Sequence, residues 1–260
     1  MNRVISHIGR RLAAMLIGIS VAVPAMFAVE LPDEDLSYAI MYKWGLINKQ
    51  AGWAVLSLRN DAENYRAQLA AGTMPWADKI YFVRDTLQSV MMKQDCLPQK
   101  YVKISHEGNK YSSSILNYSR QGDEVSATVT RSWCKNDGPM EQADTVLYAP
   151  KPGLDMLSVF YYIRNFDFAS MPSGQTIEVN VFSGRRVEVL TIHYGGIEKV
   201  KIDGKMVPTY AITFTFTMKG KTSDYPMYCW ISTDDQHIPL KMEGQLPFGK
   251  VQAFYKGPAN

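Results

Sequence analysis

The feature that most constrains this chain is an apolar residue at every second position, recurring in segment after segment. In "LSYAIMYKWG" the alternating set is Leu36, Tyr38, Ile40, Tyr42 and Trp44. A period of two places these side chains on one face of an extended strand. "WAVLSL" and "YRAQLA" continue as strands around an Asn60-Asp61 turn, and residues 45–52 are expected to turn the chain between the first two. "KYVKISHEG", "KYSSSILNYS" and "DEVSATVTRSW" come next, joined at Gly108-Asn109 and Gly122-Asp123, residue pairs that accept the positive φ of tight hairpins. Ser112, Ser114, Ser126, Thr128 and Thr130 then read as the solvent face of a one-sided sheet. Residues 80–92 fit either period and are assigned as strand.

One segment departs from this pattern. In "GLDMLSVFYYIRNF", Leu154, Leu157 and Tyr161 share a helical side while Phe160, Ile163 and Phe166 make the remaining sides apolar, predicting a buried helix over about 153–166. Asp155 suits its positive end. Strands resume after Gly174 and run to "KVQAFYKG". The fold class expected is mainly β: a large curled or partly closed antiparallel sheet, a half-barrel, wrapped around that helix.

The N-terminus carries Arg3, Arg10 and Arg11, an apolar run over 12–23, and small residues at Ala25 and Ala28. This is the pattern of a signal peptide over 1–28, with cleavage near Ala25 or Ala28. The domain expected is 29–260, with Pro150 and Pro152 marking where a sub-division would fall. No later stretch is long enough to span a bilayer, and no cysteine follows the apolar run to carry a lipid anchor. The product should be periplasmic or secreted. Without residues 1–28 the chain has 25 basic and 25 acidic residues, so the field expected of a nucleic-acid binder is missing. Cys96, Cys134 and Cys229 leave at least one thiol free; Cys96 and Cys134 fall at opposite ends of a meander, too far apart for the Cα separation of about 5.5 Å that a bridge needs.

"CWISTDDQHIPLKM" concentrates a thiol, two carboxylates and an imidazole, yet Asp234-Asp235-Gln236-His237 falls where apolar alternation stops on both sides. It reads as a hairpin turn. A metal would need further ligands from elsewhere, with His106 and His193 as distant candidates, and no cofactor motif is present. His193 alternates like a strand residue, and Cys229 faces away from Tyr228 and Trp230. Two carboxylates drawn from Asp85, Asp155, Asp167, Glu188, Asp234 and Asp235 would serve a glycosidase only if the fold brought them together. Arg164 is the one cation on the apolar helix. It must reach solvent, meet an acid such as Asp167 or Asp235, or bind an anionic ligand.

The helix "DMLSVFYYIR", the strand pair around "YGGIEKVKIDGKMVPTYAITF" and the final "WISTDDQHIPLKMEGQLPFGKVQAFYKG" resemble the exported bacterial family known as domain of unknown function 3108. Asp155, Ser158, Tyr161, Arg164, Trp230, Asp234, Asp235 and Pro239 carry the likeness, which runs from about Leu36 to the end and is weakest over residues 73–93. It implies export to the envelope, a β-rich fold and no established activity or cofactor. The expected function is non-enzymatic: binding of a lipid or other amphipathic envelope component, with Tyr161, Arg164, Trp230 and Asp235 as ligand-binding residues. The alternatives are a scaffold that holds an envelope protein partner, and a hydrolase of envelope glycans or peptides.

Overall fold

The computed structural model describes residues 30–136, 138–246 and 248–259. The signal-peptide pattern and the cleavage positions at Ala25 and Ala28 lie outside them. The first half of the chain is a meander of eight strands: β1 (Glu34–Trp44), β2 (Ile47–Asn60), β3 (Asn64–Thr73), β4 (Val83–Met92), β5 (Pro98–Glu107), β6 (Lys110–Gln121), β7 (Glu124–Lys135) and β8 (Glu141–Pro150). Each pairs antiparallel with the next. A short helix, α1 (Pro75–Asp78), interrupts it between β3 and β4.

The chain then forms β9 (Gly153–Asp155) and α2 (Ser158–Arg164) before a second run of strands. These are β10 (Thr176–Phe182), β11 (Val187–Ile202), β12 (Lys205–Met218), β13 (Lys221–Thr222), β14 (Met227–Ser232), β15 (Pro239–Gln245) and β16 (Lys250–Pro258). β16 pairs with β1, so the two runs fuse into one sheet whose outer strands are β8 and β9. Only the β9–β10 pair is parallel among the described strands. Asn180 Nδ2 on β10 donates to the carbonyl of Pro150 at the end of β8 at 2.9 Å, so the two edges of the sheet approach each other. The result is a nearly closed, barrel-like sheet.

The hairpins obey the turn chemistry read from the sequence. Glu107 pairs with Lys110 across Gly108-Asn109, and Gln121 with Glu124 across Gly122-Asp123, with φ of +60° and +56° at the glycines. The turn expected over 45–52 is shorter: Trp44 pairs with Ile47, so the turn itself is Gly45 and Leu46, and Ala51 is the extra residue where the register shifts. Residues from Val83 onward do form a strand. Gly195-Gly196 makes a bulge, where the register between β11 and β12 shifts.

The helix also differs from expectation. It begins at Ser158, because Asp155 ends a strand and its side chain caps the first turn of the helix. The Asp155 carboxylate accepts the backbone N–H groups of Leu157 and Ser158, both at 2.7 Å, while Ser158 Oγ accepts the N–H of Asp155 at 2.8 Å. Gly153 is held against its neighbours too closely for a side chain; a Cβ there would lie 2.9 Å from both Phe182 and Val125. Leu154, Leu157, Tyr161, Ile163 and Phe166 are almost wholly buried inside the curl of the sheet. Their neighbours in the core include Leu36, Tyr38, Leu56, Leu58, Tyr65 and Ile231, the inward set of the alternating strands.

Ser112 and Ser114 need correction. They share the inner face with Leu116, opposite Ser105 and Lys103 of β5. Ser126, Thr128 and Thr130 lie outside, alternating with buried Val125, Ala127 and Val129.

Candidate ligand cavity

The inner face is filled at one end of β1 and empty at the other. Towards Trp44 the strands beside β1 contribute small residues to the interior, Gly52 on β2 and Ala71 on β3. Gly52 lies so near β3 that a Cβ would stand 2.7 Å from the Gly72 carbonyl oxygen. A shift of register between Ile40 and Met41 re-aims the end of β1. The space these residues leave is a cavity of about 520 Å³, walled by Ile40, Tyr42, Trp44, Trp53, Trp76 and Ile80.

The far wall is fixed by α1. Pro75 opens it, Trp76 Nε1 donates to the Gln50 carbonyl at 2.8 Å, and Lys49 Nζ lies 4.5 Å from the Trp76 ring centroid. Asp78 pairs with Arg84 at 2.9 Å and also accepts from Thr73 Oγ1, tying the helix to β3 and β4. These hydrogen bonds, the Arg84 bond first, hold the Asp78 carboxyl below its ordinary pKa.

A smaller cavity of about 190 Å³ adjoins the first through Ile40 and Ala71 and ends on α2, with Leu157 and Phe160 as its floor. The two share Ile40 and Ala71 as wall residues, so two apolar spaces lie in series between the mouth beside Trp44 and the interior helix, and together they are called the apolar track. Trp44 and Ile80 are exposed at that mouth.

The four residues singled out in the sequence lie elsewhere. Tyr161 is fully buried, its hydroxyl 3.4 Å from the Ser57 carbonyl oxygen. Arg164 is buried and forked onto Glu34, with Nη1 on Oε1 and Nη2 on Oε2 at 3.0 Å, while its Nε donates to the Gln236 carbonyl at 3.0 Å. Burial works against this guanidinium charge, but Glu34 outweighs it and raises the pKa. The acid that meets Arg164 is therefore Glu34, not Asp167 or Asp235. Asp235 is exposed in the β14–β15 turn. Trp230 lies on the outer face of β14, its ring stacked on Tyr228 at 6.1 Å and covered by Lys241 Nζ at 4.1 Å. The structure thus gathers Tyr161, Arg164 and the turn carrying Asp235, and leaves Trp230 apart; none of the four lines the apolar track.

The Asp234–His237 segment is a turn. Asp234 Oδ1 accepts from Ser232 Oγ at 2.8 Å and from the Gln236 N–H at 3.1 Å. His237 carries the positive φ, at +47°, and its Nδ1 lies 2.7 Å from the Arg164 carbonyl oxygen. His193 is exposed on β11, between Thr176 and Thr213. Among the described residues no three His, Cys, Asp or Glu side chains come together as metal ligands. Cys96, Cys134 and Cys229 are all free; burial pushes the thiols of Cys96 and Cys229 up to about 12.

Architecture and site together define a barrel-like β protein with a helix in its interior and an apolar cavity at one end. Residues 37–256 match the family described as "Protein of unknown function (DUF3108)", and the chain belongs to that family. No curated protein sequence matches it. Among solved structures it is similar to a β-barrel-like protein of the domain of unknown function DUF1849 from Brucella abortus, at 10% identity and a TM-score of 0.60 over 89% of this chain and 98% of that one. A Bacteroides fragilis protein with a YmcC-like fold aligns at 7% identity and a TM-score of 0.35, covering 91% of this chain and 100% of that one. The Mycobacterium tuberculosis lipoprotein LppX aligns at 14% identity and 0.27, covering 88% and 89%. The first likeness shows the fold.

Proposed function

We propose that this protein is exported and binds the apolar part of an amphipathic envelope molecule, an acyl chain, in the track that opens beside Trp44. The observation that carries this reading is the cavity of about 520 Å³ whose wall includes three tryptophans, with the smaller apolar cavity against α2 beside it. Its size falls within the range of about 300–1,000 Å³ typical of ligand sites. A wall without charged groups favours hydrocarbon, since each buried methylene contributes about 0.8 kcal/mol. A chain of ten methylenes would thus gain on the order of 8 kcal/mol before the cost of ordering it. The N-terminal arginines and apolar run support export, and no helix among the described residues is long and apolar enough to cross a membrane.

Native mass spectrometry of the protein purified from a bacterium that exports it tests this. Bound species should carry acyl chains. Ala71→Phe places a ring at the junction of the two cavities and should remove them, while changing stability by no more than about 1 kcal/mol because the ring enters empty space. A folded wild-type protein that is free of lipid and fails to bind a fatty-acid probe ends the proposal.

A further inference from the structure

The interior is not apolar throughout. β5, β6 and β7 turn Lys103, Ser105, Ser112, Ser114, Arg131 and Trp133 inward, and these surround a second cavity of about 580 Å³. The register sets them in two crossing rows: Ser105 faces Ser112, which faces Trp133, and Lys103 faces Ser114, which faces Arg131. Arg185, from the β10–β11 turn, overhangs the same space; the Ser183 N–H donates to the Arg186 carbonyl at 3.0 Å, and Gly184 packs so closely on Ser114 that a Cβ would lie 3.0 Å from it.

The charge of this cavity is one-sided. Lys103, Lys110, Arg131, Lys135 and Arg185 line it, against Glu107 and, behind Ser105, Asp85. None of these five cations forms a salt bridge among the described residues. Arg131 lies 4.9 Å from the Trp133 ring, and burial, followed by the neighbouring Arg185 charge, pulls its pKa down. Five cations around one partly desolvated space, with two carboxylates near them and no ion pair to either, are an arrangement that an anion would relieve.

This cavity adjoins the apolar one. Val83 lines the apolar wall and Glu107 the basic one, and the two are direct partners across β4 and β5. Tyr81, also in the apolar wall, reaches Glu107 with its hydroxyl at 3.4 Å. The partition between hydrocarbon-lined and cation-lined space is one residue pair thick.

We propose that the ligand is an anionic amphiphile whose phosphate or carboxylate headgroup sits among Lys103, Arg131 and Arg185 while its chain enters the apolar track. The inference rests on the acyl-chain reading and adds the chemistry of the head. Hydrogen bonds from guanidinium groups to such an anion are charge-assisted, so the head should add affinity and make it sensitive to salt.

Titration of the full chain with dodecyl phosphate, dodecanol and inorganic phosphate, each followed by calorimetry, tests it. Dodecyl phosphate should bind at least ~10-fold tighter than dodecanol, and the preference should shrink as salt is added. In R131Q/R185Q the preference should fall to about twofold or less with dodecanol affinity unchanged. Arg185→Gln alone, in an exposed turn, should show part of the loss and guards against a double variant that fails to fold. If dodecyl phosphate and dodecanol bind alike, the anionic head is refuted and the acyl-chain reading stands. If neither binds to folded protein, both fall. If inorganic phosphate binds as tightly as dodecyl phosphate, the cavity is a site for a free anion, and the amphiphile proposal is overturned.

Discussion

The two ends of β1 face the same interior and treat it in opposite ways. At Glu34 the inner space is closed by large side chains: Arg164 is forked onto Glu34, and Leu58, Tyr65 and Tyr161 are almost wholly buried around them. Phe168 stacks on Tyr210 at 4.6 Å, and both rings meet the His237 ring edge-on. Towards Trp44, ten residues on, the wall includes the small residues Gly52 and Ala71, and a cavity takes the place of the core. The alternation of apolar residues decides which side chains point inward; their size decides whether the inside is full. Stability should therefore be concentrated at the Glu34 end and binding at the Trp44 end.

The largest effect expected is at the closed end. Glu34→Ala would leave the buried Arg164 guanidinium without its carboxylate and should cost about 3–5 kcal/mol in urea unfolding. A loss under about 1 kcal/mol would mean that water reaches Arg164, and the contrast between the two ends would break.

Asp155 is the next point of attack. Its carboxyl is fully buried; burial raises its pKa to about 6, against the hydrogen bonds from Ser89, Ser158 and Leu157 that lower it. The folded state thus holds the proton more tightly than the unfolded chain, whose carboxyl titrates near 3.8. The stability this group contributes is fully present below about 3.8 and is lost as pH rises through about 6, on the order of 3 kcal/mol in all. Asp155→Asn keeps an acceptor for the two N–H groups, and the Ser89 hydroxyl can turn to accept from the new amide. Urea midpoints measured at pH 4, 5, 6 and 7 should converge or cross between variant and wild type as pH rises, with the variant gaining relative stability. Parallel curves for the two proteins would show that Asp155 does not titrate in this range.

Legibility in the sequence tracks the range of each interaction. Strands such as β1, β6 and β7, and the turns at Gly108 and Gly122, are written in neighbouring residues, and they form where the alternation and the turn chemistry place them. Period two has no sign, however. It groups Ser112 and Ser114 with Leu116 but does not say that this shared face is the inside, and so the polar cavity reads as solvent. The partner of Arg164 is 130 residues away on a strand whose position depends on the β1–β16 pairing, and no local pattern reports that. The apolar cavity is hidden for a different reason. Ala51-Gly52 and Ala71-Gly72 look like weak strand residues, and the tryptophans at 44, 53 and 76 look like core; only register shows that they enclose the same space. Paired small residues on neighbouring strands, flanked by tryptophan, are the signal that could have found it.

The smallest effect should come from the turn that most resembles a site in the sequence. Asp235 is exposed, whereas Asp234 holds the turn through Ser232 and the Gln236 N–H, and the Gln236 carbonyl takes the Arg164 Nε–H. The turn belongs to the closed end through its backbone and not through the Asp235 carboxylate. Asp235→Ala should change unfolding free energy by no more than about 0.5 kcal/mol and leave ligand affinity at the Trp44 end unaltered. A loss approaching that of Glu34→Ala would place Asp235 in the charge balance around Arg164, and the closed end would then depend on two carboxylates where the structure shows one.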